Sequence, residues 1–252
     1  MSRFDLPGKA ALVTGGSYGI GRAISEGSAT HDASVVIYGG NTAPMQETID
    51  EIMQRGGRAA CLQADVSDEA EVIQLCDQVT EQFGGLDILV NNAGIDPHYA
   101  SMEKTDRSEC DRMIGINLTG VFNCCRHLGA LLTPRTGGSI INISSVAEHT
   151  GLKRPVPYSA LKGGVERLTK SLAHDRAEHG IRVNAIAYGF VETDLTAGIV
   201  AHPPSPKLLA GILMGRFGRT DEVHGAAVFL ASSASSYVTG HSLMVDVGWA
   251  AT

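Results

Sequence analysis

Seven short apolar runs, rich in Val and Ile, recur along the chain with longer helical patterns between them: Lys9–Thr14, Ser34–Tyr38, Ala59–Gln63, Ile88–Asn91, Ser139–Ile143, Arg182–Ala187 and Ser242–Asp246. Several are apolar almost throughout, as strands covered on both faces must be. Met45–Arg55, Glu69–Phe83, Glu109–Leu132 and Tyr158–Glu178 read as helices, the second with Ser67 as its expected N-cap and Asp68, Glu69 and Glu71 at its positive end. Parallel strands need a long crossover, so repeated strand–helix–strand units predict a doubly wound α/β fold. The expected architecture is one domain over 1–252, with a parallel sheet of about seven strands and helices on both faces. No repeat, linker or low-complexity tract divides it. The least regular stretch, Glu192–Gly218 with Pro203, Pro204 and Pro206, reads as a surface excursion covering a substrate.

A content of 43% hydrophobic and 19% charged residues suits a globular protein and excludes disordered or fibrous classes. The 30 glycines exceed the roughly 18 expected of an average chain, so turns or close backbone approaches are in demand. A net charge of −7 argues against nucleic acid and anionic membranes as partners. Cys61, Cys76, Cys110, Cys124 and Cys125 form no Cys-x-x-Cys pair and read as packing residues in a reducing compartment. The nine histidines fall in no ligand motif, so no metal is expected. With no signal-like start and no run of 18 apolar residues, the expectation is a soluble, cytoplasmic protein.

The first strand leads directly into Thr14-Gly15-Gly16-Ser17-Tyr18-Gly19-Ile20-Gly21, and Arg22-Ala23-Ile24 opens a helix. Glycines let the chain reverse and approach a pyrophosphate, to which the helix N-terminus offers N–H groups and partial positive charge. A Gly-rich turn with no ligand is the bland alternative, and the strand-before, helix-after context weighs against it. The acid that would hold the ribose of NAD is missing from Tyr38-Gly39-Gly40-Asn41 at the end of the second strand. Its absence removes a repulsion from a 2′-phosphate and favours NADP(H). No Arg or Lys stands at Tyr18 or 39–42 to hold that phosphate, which leaves hydrogen bonds from Ser17, Asn41 and Thr42 and keeps NAD(H) open.

Three further motifs follow in order. Asn91-Asn92-Ala93-Gly94 ends the fourth strand, Ser144-Ser145 ends the fifth, and Tyr158-Ser159-Ala160-Leu161-Lys162 opens the next helix. With the Gly-rich turn, these identify the chain as resembling the short-chain dehydrogenase/reductase family over essentially its whole length. The resemblance implies a Rossmann-type sheet in the order 3-2-1-4-5-6-7, with a ligand crevice where the strand order reverses. It implies a catalytic set of Ser145 (thirteen residues before Tyr158), Tyr158, Lys162 and Asn117. It assigns Lys162 the ribose hydroxyls and Asn117 a proton-relaying water. By the same resemblance Asp65 and Val66 border the adenine, Asn91, Ala93 and Gly94 line the cofactor, and Val191 and Thr193 hold the carboxamide. The family also implies a homo-oligomer, dimer or tetramer.

The chemistry is coherent. Hydride exchange at a carbinol carbon requires a proton to leave or join the oxygen, and a tyrosine with an ordinary pKa of about 10 is too weak an acid near neutrality. Lys162 stands one helical turn from Tyr158, and one charge at about 5 Å stabilises a phenolate by about 3 kcal/mol, or two pK units. Ser145 donates to the substrate oxygen. Each residue alone has a structural reading (a strand-end serine, a helix-start tyrosine, a backbone-bonded asparagine), and their joint presence favours the enzyme. A dinucleotide-sensing protein without turnover is the alternative. Three positions depart from the family pattern: Leu161 for serine, Val247 for glycine, and Tyr188 for a proline beside the expected nicotinamide. His98, Tyr99, Glu148, His149 and Tyr188 are candidate substrate contacts. The Ser144–Glu148 run is similar to the family's sugar (glucose-type) dehydrogenases, while the apolar content of Leu195–Leu213 favours an apolar pocket; acyl, steroid and xenobiotic ketones stay open.

Overall fold

A computed structural model describes residues 2–96, 101–132, 137–150, 152, 155–197 and 206–251. Strands β1 (Ala10–Thr14), β2 (Ser34–Gly39), β3 (Arg58–Gln63), β4 (Ile88–Asn91), β5 (Ser139–Ser145), β6 (Arg182–Tyr188) and β7 (Ser242–Val245) form one sheet in the order β3-β2-β1-β4-β5-β6-β7. Every neighbouring pair is parallel. The order reverses between β1 and β4, as the resemblance implies.

Alternation along each strand explains why the runs are apolar throughout. Ala11, Val13, Val35, Ile37, Ile88, Val90, Ile141 and Ile143 point to one face. There they meet α1 (Gly19–Thr30), α2 (Thr42–Gln54) and, past the short α7 (Pro206–Ala210), α8 (His224–Ala231). Leu12, Val36, Leu89 and Ile140 point to the other, against α3 (Glu69–Phe83), α5 (Gly120–His127) and α6 (Val156–Ala177). Each fully buried aliphatic side chain contributes about 2 kcal/mol, so the two covered faces carry the fold. Among the described residues, no helix is long and apolar enough to cross a membrane.

Two local expectations are corrected. The N-cap of α3 is Asp68, whose Oδ1 accepts from the N–H groups of Ala70 and Glu71 at 2.9 and 3.3 Å. Ser67 is instead turned back onto the Asp65 carboxylate through its own N–H and hydroxyl. The single helix read over Glu109–Leu132 is α4 (Arg107–Ile114), a wide π turn (Gly115–Thr119), α5, and a 3₁₀ turn (Leu128–Leu131). The turn accommodates one extra residue, aims Asn117 inward, and lets Gly120 lie against Val66, where a Cβ would meet the valine methyl at 2.6 Å.

Candidate active site

A cavity of about 630 Å³ opens at the C-terminal ends of β1, β4, β5 and β6. Its floor is the Gly-rich turn. Gly15 and Gly19 have φ of +62° and +48°, conformations that a side chain disfavours. Gly21 is fixed by space: a Cβ there would stand 2.2 Å from the Gly15 carbonyl oxygen and 2.4 Å from Asn92 Nδ2. The first turn of α1 then presents N–H groups without intrahelical partners to an anion.

Thr14 and Asn92 lock this turn to the one after β4. The Thr14 hydroxyl accepts from the N–H groups of Asn92 and Ala93, both at 2.9 Å, and Asn92 Nδ2 donates to the carbonyls of Thr14 and Gly15. Neither residue was singled out for a role by the sequence; polar side chains flanking both turns were the available signal. Asn91, expected at the cofactor, is corrected: its side chain lies buried beneath the cavity, donating to Asn142 Oδ1 at 2.8 Å and to Cys125 Sγ.

Around the opposite wall stand Ser145 from the end of β5 and Tyr158 and Lys162 from the first turns of α6. The Ser145 hydroxyl neighbours the Tyr158 phenol and accepts from the Ala147 N–H at 3.2 Å. Lys162 Nζ lies 5.5 Å from the centre of the Tyr158 ring and donates to the Ile143 carbonyl at 2.7 Å. The enclosed Ser144 hydroxyl at the same wall has no hydrogen-bond partner among the described residues. Asn117 is buried outside the wall. Its amide spans the backbone of Ile95, accepting from the N–H and donating to the carbonyl, each at 2.8 Å, and so holds the loop after β4.

Lys162 alone does not bring the Tyr158 phenol down. Burial pushes Tyr158 well above its ordinary value, the Asp96 carboxylate adds to this, and the neighbouring Ser145 hydroxyl offsets only part. Burial also lowers Lys162 to about 8, against the opposing pull of Asp96 and Glu166. The ammonium therefore still carries its proton at neutrality. Enclosure, which the sequence pattern does not reveal, outweighs the pairwise attraction.

The structure brings Gly15, Tyr18, Gly19, Ile20, Gly21, Ala93, Gly94, Ser145, Tyr158, Lys162, Tyr188, Val191 and Thr193 around this one cavity. Ser17, Gly39, Asn41, Asp65 and Val66 are not in its wall. Asp65 instead edges a second, polar recess of about 460 Å³ with Gly40, Gln63 and Glu71, while Val66 is buried in the core. Tyr188 borders the cavity, but its hydroxyl is buried and donates to the Val223 carbonyl at 2.8 Å, and Glu148 is absent from the wall. His149 is absent from the wall, its ring lying against Glu148 and Glu166. His98 and Tyr99 lie outside the described residues.

The irregular stretch 192–218 is pinned at its neck, where Glu192 N–H donates to the Gly218 carbonyl and Gly218 N–H to that of Phe190. Within it, Thr193 to Thr196 line the cavity, and residues 198–205 lie outside the described residues. Val247 has φ of +50°, the left-handed region that suits the glycine it replaces, and Leu161 is buried.

Residues 15–250 match the family model described as "Enoyl-(Acyl carrier protein) reductase". The chain is 40% identical over 248 residues to glucose 1-dehydrogenase 2 of Bacillus subtilis (strain 168), covering 97% of this chain and 95% of that one. It is 42% identical over 247 residues to 3beta-hydroxysteroid dehydrogenase 1 of Eggerthella lenta, covering 97% and 94%. The crystal structure of a gluconate 5-dehydrogenase from Burkholderia cenocepacia J2315 in complex with NADP and tartrate superposes with a TM-score of 0.95 at 36% identity, covering 99% and 98%. Matches of this extent, on a sheet of this order, make the chain a member of the short-chain dehydrogenase/reductase family of oxidoreductases.

Proposed function

We propose that the protein is an NAD(P)(H)-dependent oxidoreductase that interconverts a secondary alcohol and a ketone, with Tyr158 as its acid and base. The observation that carries this reading is that Ser145, Tyr158 and Lys162, the last with its ammonium 5.5 Å from the Tyr158 ring centre, line the same cavity as the Gly-rich turn. The residues present fit a dinucleotide: the Gly21 position has no space for a Cβ, and the Ser144 hydroxyl awaits a partner. When bound, the nicotinamide supplies hydride exchange and, oxidised, a positive charge. Ser145 donates to the substrate oxygen and keeps it within reach of the Tyr158 phenol. Tyr158 gives or takes the proton at that oxygen. Lys162, charged at neutrality, stabilises the phenolate as it forms, while Asn117 holds the Gly94–Ile95 backbone that borders the site.

The wall is largely apolar beyond these groups, with Val146, Leu152, Pro155, Phe190 and Leu195, and Asp96 and Asp194 as its acids. Among its described residues Lys162 is the sole cation, so the reading favours a neutral hydroxy or keto compound over a free sugar acid. A panel of glucose-type sugars, gluconate and hydroxysteroids, followed by nicotinamide absorbance, tests that choice. Exposed Ile114 and Phe122 on the α4–α5 rod support assembly into a homo-oligomer.

NADP(H) is the favoured cofactor, on the absence of an acid at 39–42 and on solved relatives that hold NADP. Arg22 is committed to Glu26 and Glu51, and neutral hydrogen bonds of about 1 kcal/mol from Asn41 or Thr42 imply a preference of about fivefold. Measured kcat/KM for NADPH and NADH checks this, and a preference for NADH overturns it.

Lys162 is costly to enclose. Its folded value near 8 lies below the unfolded value of about 10.4, so the cost is fully present below pH 8 and fades as pH rises toward 10. Lys162→Met is expected to raise stability at pH 7 by about 2 kcal/mol, or about 6 °C in melting temperature, while abolishing turnover. The gain should vanish by pH 10. A lower melting temperature at pH 7 contradicts it.

A further inference from the structure

The sequence offers no metal motif, yet the fold assembles a donor set outside the cavity wall. Glu148 ends the 3₁₀ turn that begins directly after Ser145, and His149 follows it. Glu166 lies on α6, one turn beyond Lys162, and is only 4% exposed. One ligand atom from each of Glu148, His149 and Glu166 lies within 4.8 Å of the others. Glu148 Oε1 is enclosed, accepts no hydrogen bond among the described residues, and meets the Nε2 of His149. A fourth donor atom stands next to the group, because the Ser242 hydroxyl at the start of β7 donates to Glu166 Oε1 at 2.8 Å.

We infer that Glu148, His149 and Glu166 form a divalent-cation site that braces the Ser145 turn against the helix carrying Tyr158 and Lys162. Two carboxylates held this close repel each other, and one of them is deeply buried. The His149 ring offsets part of this, and Lys170 and Arg167 of α6 act on Glu148 only from exposed positions, where their charge is screened by water. A cation between the carboxylates removes the repulsion directly. One imidazole with carboxylate and hydroxyl oxygens suits Zn²⁺ or Mn²⁺ better than Ca²⁺ or Mg²⁺, which favour all-oxygen shells. The role is structural: the bound ion ties β5 and its following turn to α6 and, through Ser242, to β7. Spacing concealed the set, because two ligands are adjacent and the third is 17 residues beyond His149.

The test uses the full chain stripped with EDTA and dialysed, then titrated with MnCl₂ and separately with ZnCl₂ by calorimetry, with melting scans of the same samples. The expected result is one equivalent per chain and a rise of about 5–10 °C at a hundredfold excess over Kd. Both should be lost in His149→Ala and in Glu148→Gln, two positions on a surface turn, with retained dinucleotide binding reporting that these variants fold. Absence of saturable uptake of either metal overturns the site, as does uptake at unchanged stoichiometry in either variant.

Discussion

Tyr158→Phe is expected to lower kcat by about 10³-fold while the dinucleotide Kd changes less than threefold. The substitution removes one hydroxyl and leaves a ring of the same shape in an enclosed position at the start of α6. Without it, no other described group stands between Ser145 and Lys162 to carry the proton. Ser145 has a hydroxyl, but its ordinary acidity is far too weak to exchange a proton with an alkoxide near neutrality. Lys162 is committed to the Ile143 carbonyl. Because burial holds the phenol high in the protein alone, the rate of alcohol oxidation by the parent enzyme should climb with pH until the charged cofactor and Lys162 have drawn Tyr158 into its ionised form. The phenylalanine variant should lose that rise. Single-turnover absorbance together with fluorescence titration of the cofactor separates the two quantities. Retained turnover within tenfold of the parent removes Tyr158 from the chemistry. Dinucleotide binding with no turnover of any substrate by the parent protein favours the sensing alternative.

The second large effect belongs to Gly21→Ala. A methyl group there would stand 2.2 Å from a backbone oxygen, and neither the β1 turn nor Asn92 has a flexible end to yield. The turn must open, which moves the first N–H groups of α1 away from a bound pyrophosphate and breaks the Asn92 bonds to Thr14 and Gly15. Losing about 3 kcal/mol of charge-assisted hydrogen bonding corresponds to about a hundredfold weaker dinucleotide. Calorimetric titration of the folded variant measures it. Parental affinity would place the cofactor elsewhere.

Much of this architecture was readable from residue order because parallel strands leave an unambiguous trace: both faces covered, hence apolar throughout. The bounds of α3 could be read from its acidic first turn, although its cap is Asp68 in place of the expected Ser67. The catalytic residues were legible because chemistry demands particular side chains at strand ends. What escaped depends on direction and enclosure. Asn91 and Asn92 are adjacent and chemically identical, yet one is buried against Cys125 and the other bridges two turns. Nothing in an Asn-Asn pair says which points up. His149 and Tyr188 lie near the cavity in sequence, but the His149 ring turns onto Glu148 and the Tyr188 hydroxyl onto the Val223 carbonyl. The Tyr158 phenol stands higher than its pairing with Lys162 suggests because burial is a property of the assembled fold.

The wide turn at Gly115–Thr119 has a bearing on how this rod should be matched to others. Had the same residues wound as uninterrupted α-helix, everything after Thr119 would be rotated by about 100°, carrying Val121 and Cys125 toward water and Phe122 toward the sheet. By looping out one position, the backbone absorbs a length difference locally and keeps both flanking faces in phase. A relative one residue shorter here can therefore present the same surfaces, and an alignment drawn without a gap at this bend would mispair every side chain of α5.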